Sequence, residues 1–492
     1  MPLARSFALP AGEHCIALQD SLHLALARRL EQLCAPLLQL EYALFRHARS
    51  AVFFPAIRQP EVDEAYLLEL SAGAWEELLT RKPMLRRVLH LAVEQWRTAA
   101  LELSERLVQD ADVLRLTFGV TAQPTAVWFG ISDMHNGGRS AAILCFPGGR
   151  QLVYKPKDFS PDRAWRDFSF WLKDTGAPWH PSPQNVLERD GYGWADFVES
   201  RPCKSAAEQH VFFYRLGYLQ ALLYLLGATD CHRDNFIVHG TEPVIVDLET
   251  LLHPPPPHDP MPTALRNSVL SVEILPCRYI GAGNQEIYFP GFDGEWETGD
   301  AAPVRTGASA HSSTFSLRAH STPFADGFAD MYRFLMRHKD RLSELEAGPL
   351  AAFRGCTVRY VHRPTTTYAL TLRRALRHLD ERHEWGMPFE QMRRYDLPGL
   401  SEDVANRLRD AEHAALEQLD IPFFTTLSDS TALHRASGGI LADFFSTPAL
   451  ELAQQRAQRL TETDLTLQLA AIRQALVGAA EEDAASDSPF PP

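Results

Sequence analysis

No stretch of this 492-residue chain is both long and apolar enough to span a bilayer. The most apolar helical stretch, residues 211–226, is interrupted by Arg215 and Gln220. The opening MPLARSFALPAGEHC lacks the apolar core of a secretory signal. Seven cysteines, at 15, 34, 145, 203, 231, 277 and 356, form no C-x-x-C pair. That disfavours a disulfide framework and points to free thiols in the cytoplasm. Positive charge is in deficit, with 48 Lys and Arg against 62 Asp and Glu for a net charge of −14. Such a balance argues against non-specific nucleic-acid binding and leaves room for a basic substrate. The remainder, 45% hydrophobic and 22% charged, is ordinary for a globular protein with several domains.

Most of the functional information lies in residues 229–250, TDCHRDNFIVHGTEPVIVDLET. Asp230, His232 and Asn235 form an Asp-x-His-x-x-Asn turn. A strand-like run, Pro243–Val246, then delivers Asp247. This is the layout of a kinase catalytic loop followed by its metal-binding Asp. Asp230 is placed to orient a hydroxyl and accept its proton, while Asn235 and Asp247 offer the hard oxygen ligands that Mg²⁺ prefers. The competing reading is a solvated polar turn, since Asp, His and Asn are ordinary turn residues. Cys231 lies inside the turn but has no activating base assigned to it, so it is read as a bystander.

The flanking pattern favours the phosphoryl-transfer reading. Residues 18 to about 118 read as helices, with Leu22, Leu26, Leu30 and Leu33 on one stripe and a second helical stretch at 84–107. Strands are expected at 125–129, 140–146 and 151–155, with a glycine-containing loop at 130–138 and a turn at Pro147-Gly148-Gly149. Ser160-Pro161-Asp162 then opens a helix, Ser160 serving as its N-cap. Strand, loop, strand, turn, strand ending in Lys, helix is the order of a kinase small lobe, which makes Lys155 a candidate phosphate ligand. The alternative for Lys155 is an exposed strand end. The helix carries no Glu to pair with it, and the choice between Asp162 and Asp167 stays open. Residues 192–198 sit where an interlobe hinge belongs, so the backbone of Phe197 and Val198 is placed to meet adenine. Glu249 is grouped with these nucleotide-binding positions. A helix at 204–226, apolar at 212, 216, 219, 223 and 226, ends at Gly227 and leads into the turn. The Pro-rich segment 253–263 falls where an activation-type loop lies, and helical patterns return at 327–346, 366–384 and 401–418.

Two further segments exceed what a kinase needs. The glycine loop carries Asp133 and His135, which alternation on an extended chain puts on one side. A carboxylate close to phosphate is repulsive, so its presence there implies a task such as proton handling. An Asx-turn with a capping His is the alternative. The segment Arg359–Thr365 offers arginines suited to bidentate phosphate binding, with Arg359 and Arg363 on one side if it is a strand. On the residues alone, a surface strand with ordinary basic residues is the preferred reading there.

Together the stretches SDMHNGGRS, LVYKPKDF, YGWADFVES, TDCHRDNFIVHGTEPVIVDLETLLH, NSVLSVEILP, VRYVHRPTTTY and DIPFFTTL resemble the dehydratase half of class II (LanM-type) lanthipeptide synthetases, in the family's order, over about residues 120–475. The resemblance implies an α+β, two-lobed lipid-kinase-like fold with an N-terminal helical cap and additional C-terminal helices. Its divisions would be 1–120 cap, 121–200 small lobe, 201–430 large lobe with the activation-type loop and elimination strand, and 431–492 C-terminal helices with a disordered tail. It implies ATP-dependent phosphorylation of Ser or Thr in a precursor peptide bearing a leader, then loss of phosphate to give dehydroalanine or dehydrobutyrine. Asp230 and His232 would serve phosphorylation, Asn235 and Asp247 would hold Mg²⁺, and Lys155, Phe197, Val198 and Glu249 would bind ATP or ADP. Asp133, His135, Arg359 and Thr365 match the family's elimination residues. Ser132 and Met134 depart from the Gly and Ser usual around the loop Asp. The segment before Asp133 is shorter than usual, and nothing matches the zinc-binding cyclase half, so either the chain stands alone beside a separate LanC-like cyclase or it is a truncated synthetase, and zinc is not expected.

Overall fold

A computed structural model describes residues 18–52, 59–257, 263–280, 286–289, 291–293, 315–344, 346–379, 382–394, 397, 399–435 and 438–486. The chain mixes helices with small antiparallel sheets and divides into two compact units, residues 1–152 with 363–423, and residues 153–362 with 424–492. The first strands are β1 (Ala126–Phe129), β2 (Ala142–Cys145), β3 (Gln151–Lys155), β4 (Val186–Arg189) and β5 (Tyr192–Asp196). They are followed by β6 (Phe236–His239), β7 (Glu242–Ile245), β8 (Cys277–Ile280) and β9 (Glu286–Phe289). The last four are β10 (Thr357–Tyr360), β11 (Phe424–Leu427), β12 (Leu433–Arg435) and β13 (Ile440–Leu441).

The first unit is built on the helices Gln19–Val52 and Pro83–Gln109. Pro83 suits a first turn, where its missing N–H costs nothing. Leu85, Leu89, Ala92, Trp96, Ala99, Leu103 and Leu107 then recur at helical spacing and are buried. The expected leucine stripe holds in part: Leu22 and Leu26 are buried, while Leu30 and Leu33 are half-buried at the margin of the core. β1 and β2 pair antiparallel with Ala126 opposite Cys145. The helical run expected at 366–384 is instead two helices, Thr365–Ala375 and Arg382–Arg393, whose Tyr368, Ala375, Trp385 and Phe389 close the core.

The second unit is organised around the helix Ala206–Leu226. Ser205 caps it by accepting from the Glu208 N–H at 3.2 Å, and Gly227 ends it in the left-handed conformation at φ 62°. A one-sided apolar stripe is the expectation here, but every residue from Leu216 to Leu226 is buried. The second face is covered by the helix Ser321–Arg337. Their backbones approach so closely that a Cβ on Gly217 would lie 2.0 Å from Phe324 O, and one on Gly327 would lie 1.9 Å from Tyr214 O. The helix Ser160–Asp174 lies where expected, but Ser160 is its first residue and not its N-cap, which is Phe159; the entry is set by Asp158, whose carboxylate accepts from the Ser160 N–H at 2.7 Å. Ser160 Oγ also binds Asp158 and accepts from the Thr357 N–H at 3.1 Å. At the C-terminal end the helix Glu462–Ser486 runs into the stretch read as a disordered tail. Of the Pro-rich segment, 253–257 is neither helix nor strand, 258–262 lies outside the described residues, and Thr263 opens a short helix. No helix among the described residues is long and apolar enough to cross a membrane.

Candidate active site

The turn at 229–235 and the hairpin after it gather the central residues of the second unit. β6 and β7 pair with Phe236 opposite Ile245 and His239 opposite Glu242. The hairpin therefore returns the chain to its start, where the Val246 N–H donates to Asn235 O at 2.9 Å. Asn235 and Asp247 are thereby brought to the same end of the hairpin. Phe236, Ile245, Leu248 and Leu251 anchor it in the core. Asn235 Nδ2 donates to Asp230 O at 2.7 Å, and Asp230 adopts φ +56°, a left-handed conformation that few non-glycine residues take. His232 Nε2 lies 3.4 Å from Asp230 Oδ1, and its Nδ1 accepts from the Asp234 N–H at 3.3 Å. Asp230 and Asp247 keep 31% and 32% of their side chains exposed, enough to meet a ligand. Loss of solvent raises the Asp230 carboxyl above its ordinary value, and His232 and Arg359 oppose that shift.

Behind these two acids lies a row of alternating charges. Lys157 Nζ donates to Asp247 Oδ1 at 2.6 Å and to Glu249 Oε2 at 2.7 Å. Arg359 Nη1 donates to the other Glu249 oxygen at 2.6 Å, and the Arg359 N–H bonds Glu249 O at 2.7 Å. Burial pushes Glu249 up, but Lys157 and Arg359 outweigh it and hold the carboxyl well below the usual range. Burial pulls Lys157 down, but Asp247 and Glu249 more than reverse this, so it stays charged. Lys155 donates to Val246 O, and burial, together with the nearby Lys157 charge, lowers it. Asp162 joins the cluster; loss of solvent lifts it to about 6 despite both lysines. Asp167 instead pairs with Arg166 on a more exposed face, and of the two acids it is the Asp162 charge that acts on Lys155.

Several expectations change. Arg359 is buried in β10 opposite Thr425, not on a surface strand. Arg363 lies past the strand end, belongs to the first unit and bonds Glu412 Oε1 at 2.7 Å, so the two arginines are not a matched pair. Asp133 and His135 also belong to the first unit, in a loop that turns back through residues 136–138 so that His135 bridges Arg139. Asp133 is exposed, whereas His135 Nδ1 meets Ile421 O at 2.8 Å and its ring packs on Phe423 at 5.0 Å. The amides of Gly137 and Gly138 donate to the two oxygens of Asp420, at 2.6 and 2.8 Å, and so bind a carboxylate of the protein itself. Thr365, also in the first unit, is the first residue of its helix and half-buried. Phe197 and Val198 follow β5 and are half-buried. Cys231 is buried, and burial, reinforced by Asp230, pushes its thiol well up, which agrees with a bystander. The six described cysteines are unpaired.

Lys157 and Asp420 escape the sequence reading. Lys157 is legible afterwards as the second lysine of K-x-K, the spacing that returns a side chain to the same face of an extended chain. Asp420 carries no such local signal.

Residues 83–298 and 292–427 match a domain of unknown function, DUF4135. The chain belongs to the DUF4135 family. It is also 24% identical over 382 residues to the lacticin 481/lactococcin biosynthesis protein LcnDR2 of Lactococcus lactis subsp. lactis, a match covering 69% of this chain and 40% of that relative. The DUF4135 span contains every residue of the clusters described above, from Asp133 to Asp420.

Proposed function

We propose that this chain is a lanthipeptide dehydratase that uses ATP to phosphorylate Ser and Thr of a leader-bearing precursor peptide and then eliminates the phosphate. The observation that carries the reading is the cluster of Asp230, His232, Asn235, Asp247, Lys157, Glu249 and Arg359 in one unit. A partly exposed acid beside an imidazole is suited to orient a hydroxyl and take its proton. Lysine and arginine alongside offer electrostatic stabilisation to a phosphoryl group in transfer. The relative's role in lacticin 481/lactococcin biosynthesis supplies the substrate class.

The donor set suits Mg²⁺. Asn235 spends its amide hydrogen on Asp230 O, which leaves Oδ1 to a cation, and no described residue donates to Asp247 Oδ2. Two protein oxygens, with nucleotide phosphates completing the shell, is a common Mg²⁺ arrangement. Bound there, Mg²⁺ would neutralise phosphate charge. Lys155, Phe197, Val198 and Glu249 are assigned to the nucleotide side, and Asp133, His135, Arg359 and Thr365 to elimination. Elimination needs a base for the α-proton, a stabiliser for the enolate-like oxygen and a cation at the departing phosphate, and these side chains meet those demands chemically.

On this reading the fold is lipid-kinase-like, with a cap at 1–120, lobes at 121–200 and 201–430, and C-terminal helices at 431–492. Incubation with Mg-ATP and the precursor peptide should give a product lighter by water, and Asp230→Ala should give neither phosphopeptide nor dehydrated peptide in mass spectra. A stable phosphopeptide that never loses phosphate would reduce the reading to a kinase.

A further inference from the structure

One residue beneath the turn at 229–235 has no part in the chemistry proposed above. Ser268 caps the short 3-10 turn Val269–Val272, and Val269, Val272, Ile274 and Leu275 are all fully buried. The chain therefore reaches position 273 from a rigid apolar anchor. There it adopts φ +72° and ψ 12°, a conformation that glycine takes without strain and a side chain does not. The residue is nevertheless Glu273. Its Oε1 accepts from Thr229 Oγ1 at 2.9 Å, and its carboxyl lies near enough to Asp230 for the Asp230 backbone and charge both to act on it. On the other side of Asp230, the Cys231 N–H donates to Val272 O at 3.1 Å. Two strained residues, Asp230 and Glu273, thus meet through a set of short ties.

Strain of this kind persists only where the surroundings over-determine it, and it concentrates at working sites. A half-buried acid needs a return for lost solvation, and one beside Asp230 also faces a like charge. Loss of solvent and then the Asp230 charge lift the Glu273 carboxyl to about 8. Glycine would relieve the backbone, and an apolar residue would extend the surrounding core. The carboxyl has one visible effect, which is on the turn.

We propose that Glu273 is a positioning residue for phosphoryl transfer: it holds Thr229 while the adjoining Val272 carbonyl holds Cys231, so that Asp230 between them stays left-handed, with its carboxyl beside His232. This rests on the phosphoryl-transfer reading of Asp230, and the experiment separates the two. Glu273→Gly removes the side chain where the backbone already favours glycine, so its melting temperature should stay level or rise. Its kcat for ADP release from Mg-ATP should fall by about tenfold or more, with KM for ATP little changed, because small displacements of a reacting group cost much in rate. Glu273→Gln keeps the acceptor and should retain most of the rate. A crystal structure of apo Glu273→Gly should show Asp230 away from its position beside His232. Unchanged turnover in Glu273→Gly, or an unmoved Asp230 in that crystal, would overturn the inference. Absence of ADP from the wild-type protein, with Asp230 displaced in the variant, would overturn the phosphoryl-transfer reading and leave the positioning role standing.

Discussion

Glu249 is where the electrostatics of the site concentrate. Its two oxygens are divided between Lys157 and Arg359, and all three side chains are at most 16% exposed. A buried pair is a poor source of net stability, yet removing one member leaves the others charged and uncompensated. Glu249→Ala should therefore cost about 3 kcal/mol or more in urea denaturation, while a substitution of the exposed Asp133 should cost almost nothing. His253 offers a pH test. Its Nε2 accepts from the Val361 N–H at 3.0 Å, and burial, with Arg359 nearby, lowers its pKa from 6.5 to about 4. The fold thus favours the neutral ring, whereas the unfolded chain takes up a proton below about 6.5. His253 contributes its full stability above pH 6.5 and loses it progressively as the pH falls to about 4. Urea midpoints measured across that window should fall for the wild type and flatten for His253→Gln.

At the scale of elements, the hairpin β6–β7 and the two-glycine crossing do different work. The hairpin joins Asn235 to Asp247 by register, which a one-residue slip would undo. The crossing of Ala206–Leu226 with Ser321–Arg337 fixes the helix that feeds the turn. Gly217→Ala or Gly327→Ala drives a methyl into backbone rather than into a movable side chain, so each should destabilise by about 3 kcal/mol. A thermal melt checks this, and a variant with an unchanged midpoint would mean the helices separate freely. The sequence showed both the helix and the hairpin, because apolar runs, Ser205, Gly227 and the alternation after Asn235 are local signals. It did not show why Gly217 is glycine, since its partner lies 107 residues away at Phe324.

At the scale of the molecule, the site residues named from the sequence divide between two units. Lys155, Asp230, His232, Asn235, Asp247, Glu249 and Arg359 belong to one, and Asp133, His135 and Thr365 to the other. On the proposed function the phosphorylation residues fall in one unit, while the elimination residues are split, Arg359 lying with the phosphorylation set and Asp133, His135 and Thr365 in the other unit. His135→Ala should still phosphorylate the precursor but accumulate phosphopeptide, seen by mass spectrometry as the heavier product. Normal dehydration by that variant would remove His135 from the elimination assignment. His135 is tied by the Ile421 carbonyl and Phe423, so the variant should also be checked for an unchanged melt.

The sequence by itself determined which polar residues gather at the turn and the order of elements that delivers them. Asp230, His232, Asn235 and Asp247 lie within 18 positions, so turn and hairpin geometry is enough to bring them together. Only the tertiary structure decided that Lys157 shares Asp247 and Glu249, that Arg359 is the buried partner of Glu249 across 110 positions, and that the Gly137 and Gly138 amides are held by Asp420. The physical reason is range. Backbone propensity and side-chain periodicity act over a few residues, whereas charge pairing in a low-dielectric interior is set by which distant segments the apolar core packs together.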